Sequence, residues 1–406
     1  MKYLIITSVS FLILINLSCK DKGVNPGDNY PPGYQHDIPW PSLADSPWPM
    51  AYHDPQNTGR SQFIGPMNNS VQIIFNEKGK REIDGGIVID TDGSILFTTT
   101  SDSGNVIIKL SEEGEIIFEK SLESSFENAG TPLLTGNKII SLNGFNKIFC
   151  FDSIGNVIWT YESVGKIFNK TSSIDKYGNL YFTNILHKMQ VLNPGGQLIW
   201  EITDPRINSL AVVYNLSFSP DGKTVYLPGQ GVSVIAVDIE KRNIKWTFGY
   251  NTVAESIVVD VEGNLYFIQD SWPRSKIVSL QSDGTKRWEH SFSGSGANSK
   301  PCIDYNGYTY FGSDSLYSVD YKGNLRWKID LNGYISCNIV CDLENSVYLI
   351  TYNSEDQSIF QKIDHEGILI WERILNGYIY SPNSFAVGNQ IIFIPSRSGI
   401  LKRTFQ

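Results

Sequence analysis

Charge is scarce in this chain of 406 residues, at 18%, and it leans acidic: 33 Lys and Arg stand against 42 Asp and Glu, a net charge of -9. No Lys/Arg run stands out, so the basic footprint that nucleic acid requires is missing and nucleic acid is excluded as a partner. Cysteine is equally sparse. There are five, with no adjacent pair and no CxxC, and the five histidines (His36, His53, His187, His290, His365) are scattered, so no metal site and no cofactor is expected. Helical patterning is absent from the body of the chain, and no Ser/His/Asp or Cys/His arrangement is legible as a catalytic set. No apolar run is long enough to span a bilayer comfortably. The longest, Leu4 to Leu17, is interrupted by Thr7, Ser8, Ser10 and Asn16 and has the length of a signal peptide.

What is present is an ordinary globular complement of hydrophobic residues, 41%, enough for a sizeable core. The first segment ends at Leu17-Ser18-Cys19, which resembles the lipobox of bacterial lipoproteins, with Asn16 where that family prefers Leu. The resemblance implies a signal peptide over 1-18 and lipidation of Cys19; the alternative is an ordinary cleaved signal. Lys20-Asp21-Lys22 partly resembles the signal that sends some lipoproteins to the cell surface. Residues 19-47 read as a Pro/Gly-rich tether, since six prolines and three glycines between Gly23 and Pro47 allow neither helix nor central strand. Cys150, Cys302, Cys337 and Cys341 sit in apolar runs and are expected as buried free thiols. Cys337 and Cys341, if on one strand, would lie roughly 13 Å apart, too far to bridge.

The rest of the chain, 48-406, is repetitive. Gly155 leads to Trp159, Gly196 to Trp200, Gly284 to Trp288, Gly323 to Trp327 and Gly367 to Trp371, with Gly114 to Phe118 as a variant. The aromatics Phe75, Phe118, Trp159, Trp200, Trp246, Trp288, Trp327 and Trp371 follow one another at intervals of 39 to 46 residues, the period of a propeller. Within each unit, short apolar runs alternate with turns. Asp175 and Gly178, Asp260 and Gly263, and Asp304 and Gly307 open the first hairpin, and the Gly-to-Trp signal closes the second. Two hairpins make a four-stranded antiparallel blade, and the large aromatic on its outermost strand is expected to cover the face between neighbouring blades. The strand around Phe75, about 71-77, has no hairpin before it, while the C-terminus supplies three strands and stops. The expected fold is all-β: an eight-bladed β-propeller, closed by the N-terminal strand completing the last blade.

Units such as "VIAVDIEKRNIKWTF" and "LYSVDYKGNLRWKID", and the opening "WPMAYHDPQNTGRS" at 48-61, resemble PQQ-like repeats of quinoprotein alcohol dehydrogenase-like propellers. Those enzymes add a quinone, a calcium ion and a catalytic Asp; here the "DxxTGKxxW" tag is loosened and the adjacent cysteines are missing. "SDGTKRW" at 282-288 resembles the structural Asp-box hairpin of sialidases and related glycan-acting propellers. A further resemblance, in architecture and anchor, is to the assembly-scaffold lipoprotein of the outer-membrane β-barrel machinery. It implies a non-enzymatic, membrane-anchored propeller of the bacterial cell envelope, on the outer membrane, that binds a protein or glycan partner. The alternative is a quinone- and calcium-dependent dehydrogenase-like or glycan-acting enzyme.

Loops joining a fourth strand to the next blade, and second to third strands, gather on one face, where binding usually resides. The aromatic and polar residues there are Phe168, Asn169, Tyr250, Asn251, Trp272, Arg274, Tyr334, Tyr378 and Tyr380. They are the candidate binding residues, with plugging of the channel or capping of blades as the competing role.

Overall fold

Each Asp-x-x-Gly turn is built from the aspartate outward. Asp175 accepts the amides of Tyr177 and Asn179 on Oδ1, both at 2.9 Å, while its carbonyl takes the Gly178 amide at 3.1 Å. Its second oxygen accepts the hydroxyl of Tyr181 from the next strand at 3.1 Å, and the Asp260-Tyr266, Asp304-Tyr310 and Asp342-Tyr348 pairs repeat this at 2.8 to 2.9 Å. A short acidic side chain therefore fixes both the turn and the strand that leaves it.

The computed structural model describes residues 30-404 except 84, 124-128, 143-144, 168-171, 208-214, 230, 251-253, 270-272, 295-298, 376-378 and 380-384. Among the described residues the strands form eight antiparallel sheets, the blades of an eight-bladed propeller. Blades 1 to 7 run in chain order over 88-121, 133-162, 173-203, 217-248, 254-293, 302-330 and 334-375. Blade 8 takes Ala386–Gly388, Ile391–Ser396 and Ile400–Thr404 from the C-terminus and Val71–Asn76 from the other end of the chain, with Val71 opposite Thr404 and Phe75 opposite Leu401. The closure expected at 71-77 is present. The first strand of blade 7 departs from expectation, being split into Tyr334–Ile335 and Val340–Cys341, which both pair with Val347–Tyr352. Cys337 lies in the gap, where its sulfur accepts the Ile350 amide at 3.0 Å, so it and Cys341 are not on one continuous strand. All four of these cysteines are buried and free.

The blades are held to one another by the repeated Gly and Trp. The indole N–H of Trp159 donates to Pro194 O, Trp246 to Ser282 O, Trp288 to Tyr321 O and Trp327 to His365 O, at 3.0 to 3.3 Å. Each acceptor lies in the second hairpin turn of the following blade, two residues before its glycine. That glycine sits on the indole: at Gly323 (φ +84°) an added Cβ would fall 2.5 Å from Trp288 Cγ. The motif therefore records contacts between neighbouring units, not within one. Two tryptophans break the rule. The turn facing Trp200 carries Arg242 instead, at φ +55° with its guanidinium 5.9 Å from the indole. Blade 8 has no covalent second hairpin, because its third and fourth strands come from opposite chain ends, and the buried Trp371 Nε1 has no hydrogen-bond partner.

Candidate functional site

The segment before the closing strand is rich in proline and in amide and hydroxyl side chains, so it cannot form regular secondary structure and must find its hydrogen bonds elsewhere. It finds them on the innermost strand of every blade. The Trp40 indole donates to Ile174 O of blade 3 at 2.9 Å, the Ala44 amide to Leu134 O of blade 2 at 3.1 Å, and Trp48 O accepts from the Ile89 amide of blade 1 at 3.0 Å. The chain then crosses the channel over 50-55 and continues around the other side. Pro55 O accepts from Phe218 (blade 4), Gln56 O from Val259 (blade 5), Thr58 O from Ile303 (blade 6) and Gly59 O from Cys341 (blade 7), at 2.8 to 3.1 Å. Ser61 Oγ donates to Val387 O of blade 8 at 3.2 Å.

These bonds fall at the ends of the first strands, beside the Asp-x-x-Gly turns. The segment is therefore a plug in that mouth of the channel. Trp48, Met50, Tyr52, Gln56, Asn57, Thr58, Arg60 and Ser61 are all buried. Residues 32-47, expected as tether, are docked on the propeller in their described structure, with Gln35, Trp40, Ala44 and Ser46 buried. Proline content alone does not separate a free tether from a strap whose backbone is bonded to a neighbour.

The crossing carries the polar chemistry of the plug. Tyr52 and His53 both adopt left-handed backbone, φ +63° and +77°, conformations costing on the order of 1 kcal/mol each that the surrounding bonds must hold. The Tyr52 hydroxyl donates to Asn338 Oδ1 at 3.1 Å, and the ammonium of the buried Lys300 lies 4.3 Å from its ring. Burial drives that ammonium well below the usual lysine range. Asp54 accepts the amides of Gln56 and Thr58 at 3.0 and 3.1 Å and the Thr58 hydroxyl, with His53 Nδ1 at 3.5 Å. Burial works against its charge, but His53, Arg60 and Thr58 together hold the carboxyl below its ordinary range. Burial opposes the charge on Arg60 as well. Charge interactions with Asp37, 3.3 Å away, and with the Tyr305 hydroxyl and Asp54 outweigh it, so Arg60 stays cationic, with the Tyr305 ring 4.5 Å from its guanidinium carbon. This constellation fixes backbone; among the described residues no three His, Cys, Asp or Glu side chains converge as metal ligands.

The loops of the opposite mouth carry the residues expected to bind. Of the residues expected there, Tyr250 lies 82% exposed between blades 4 and 5, Arg274 is exposed at the start of the third strand of blade 5, and Tyr334 is 60% exposed where blade 7 begins. Topology puts all three on the same face. Phe168, Asn169, Asn251, Trp272, Tyr378 and Tyr380 lie outside the described residues, as does Cys19. Sequence reasoning missed an apolar patch on this face at blades 2 and 3: Phe145, Val164, Ile185 and Leu186 are all exposed. Their loops are tied together by Ile167 N donating to Phe145 O at 2.6 Å and Ile185 N to Lys166 O at 2.9 Å. The available signal was apolar residues at loop positions, in "SVGK" and "NILHK".

Residues 60-247 match the family model for the outer membrane protein assembly factor BamB. No curated protein matches the chain. Among solved structures, BamB from Moraxella catarrhalis is similar at 14% identity with a TM-score of 0.62, covering 83% of this chain and 99% of that one. A europium-containing methanol dehydrogenase is similar at 10% identity and a TM-score of 0.65, covering 87% and 89%. The computationally designed Ika8 protein is similar at 12% identity and 0.58, covering 82% and 100%. At such identities the structural likenesses speak for the fold alone. Together they show the fold of a PQQ-like β-propeller, with residues 60-247 similar to the BamB family model.

Proposed function

We propose that this protein is a non-enzymatic propeller lipoprotein of the bacterial cell envelope, anchored to the outer membrane through Cys19, that acts as an interaction scaffold for a protein partner. The observation that carries this reading is the match of residues 60-247 to an outer membrane protein assembly factor. The plug supports it physically. A channel filled by the chain's own residues at one mouth leaves the exposed aromatic and apolar side chains of the loop face as the recognition surface. Aromatic anchors on loops held by a rigid ring suit protein recognition, because little conformational freedom is lost on binding.

The test is genetic and biochemical together. Replacing Cys19 by Ser should abolish incorporation of labelled fatty acid and release the protein from the membrane fraction. Deleting the gene should lower the amounts of β-barrel proteins in the outer membrane. Unchanged β-barrel levels would sink the assembly role. A clear rise in thermal midpoint with pyrroloquinoline quinone and calcium would instead favour a dehydrogenase, since a ligand that binds the native state must stabilise it.

A further inference from the structure

Where the ring closes, three segments meet around a groove of about 640 Å3. They are the turn after the closing strand (77-82), the connection between second and third strands of blade 1 (100-104), and the corresponding turn of blade 8 (396-399). Their backbones are fixed to one another. Glu77 N donates to Gly399 O at 2.9 Å, and Glu82 and Thr100 exchange both of their backbone hydrogen bonds at 2.8 Å. Gly399, at φ +79°, lies so close that a Cβ there would fall 2.2 Å from Arg81 O. The walls cannot move apart without breaking these contacts.

The groove gathers Lys78, Lys80, Arg81 and Arg397 from two of the segments, against the exposed carboxylates Glu82 and Asp102. In a chain of net charge -9 the lining itself holds four cations to two carboxylates. Arg81 Nη2 meets Glu119 at 2.8 Å and Lys80 lies 3.6 Å from Glu77, both carboxylates outside the groove lining. The Glu119 contact occupies one terminal nitrogen of a guanidinium that carries five N–H donors. Thr100, also lining the groove, has a buried hydroxyl with no hydrogen-bond partner.

We propose that this groove binds phosphate groups. Arginine forks and lysine ammoniums converging from separate segments match a multiply charged tetrahedral anion, whereas a single carboxylate would be served by one of them. The volume falls in the range of small-molecule sites, so the phosphate belongs to a larger ligand, whose hydroxyls Glu82 and Asp102 can accept. Two sources carry this chemistry, a soluble phosphate compound and an anionic lipid headgroup. The site stands independently of the assembly role.

The experiment uses the propeller with residues 1-29 replaced by a soluble leader, and the same protein carrying Lys78→Glu with Arg397→Glu. Calorimetric titration with pyrophosphate tests the soluble source, and co-sedimentation with phosphatidylglycerol vesicles, against phosphatidylcholine, tests the lipid source. Binding in either arm that weakens about tenfold or more in the double variant, and weakens further as salt is raised, supports the site and names its source. A thermal midpoint within a few degrees of wild type shows that the variant is folded. If it is not, Lys78→Ala with Arg397→Ala is used in its place. Absence of binding in both arms, or binding that ignores the substitutions, overturns the proposal.

Discussion

Replacing Gly323 by Ala tests the contact on which the ring depends. The added Cβ would sit 2.5 Å from Cγ and Cδ2 of Trp288, well inside van der Waals contact, on a backbone at φ +84°. The left-handed conformation costs Ala about 1 kcal/mol, and the overpacking costs a further 1–3 kcal/mol. The indole cannot simply retreat, because its N–H is held by Tyr321 O at 3.3 Å and its ring packs 5.8 Å from that of Tyr266. Together the change should destabilise by roughly 2–4 kcal/mol. Gly136→Ala is the control: that glycine has φ +55° but nothing within 4 Å of a Cβ, so only the conformational cost of about 1 kcal/mol applies. Urea unfolding of the two single variants, of Trp288→Ala and of the Gly323→Ala/Trp288→Ala pair gives the coupling directly. With the indole gone, Gly323→Ala should fall to the cost of Gly136→Ala. An undiminished penalty in the Trp288→Ala background would show that the glycine is there for its turn alone, and the interblade argument would fail.

Three other outcomes follow from the same contacts. Asp304 is buried, which pushes its carboxyl up to about 6 although the Tyr308 amide and Tyr310 hydroxyl bond to it. Between its ordinary value of 3.8 and 6 the folded chain holds a proton the unfolded chain has lost, so stability at this group falls as pH rises through that window. Asp304→Asn should flatten that slope, worth on the order of 2–3 kcal/mol; an unchanged pH profile of the melting temperature would refute the assignment. Deleting residues 32-61 should unfold or aggregate the propeller, because every blade loses a bond to the plug, and a melting temperature within a few degrees of the intact protein would show the plug to be ornamental. Deleting 71-76 should leave the third strand of blade 8 as an open edge and cause self-association visible by light scattering, and a monodisperse product would count against strand closure.

The architecture was legible because its causes are local and repeated. An Asp that bonds its own turn, a Gly at positive φ and a Trp at a fixed offset write the same blade again and again, and the lone strand at Phe75 with three unmatched strands at the C-terminus specifies the closure. Sequence also marked Tyr250, Arg274 and Tyr334 as exposed loop residues, since topology alone assigns a loop to a face. What it could not decide were contacts made by residues far apart in the chain. Gly323 and Trp288 belong to different units, so the partner of each glycine became visible only when blade met blade. The proline-rich strap from 32 to 61 bonds to strands as far away as Val387, and its composition is that of a free tether. The cations of the closure groove stand at 78-81 and 397, more than 300 residues apart, and only the ring brings them together. Local turn chemistry fixed the blades; long-range hydrogen bonding and the meeting of the two chain ends fixed the plug, the open face and the groove.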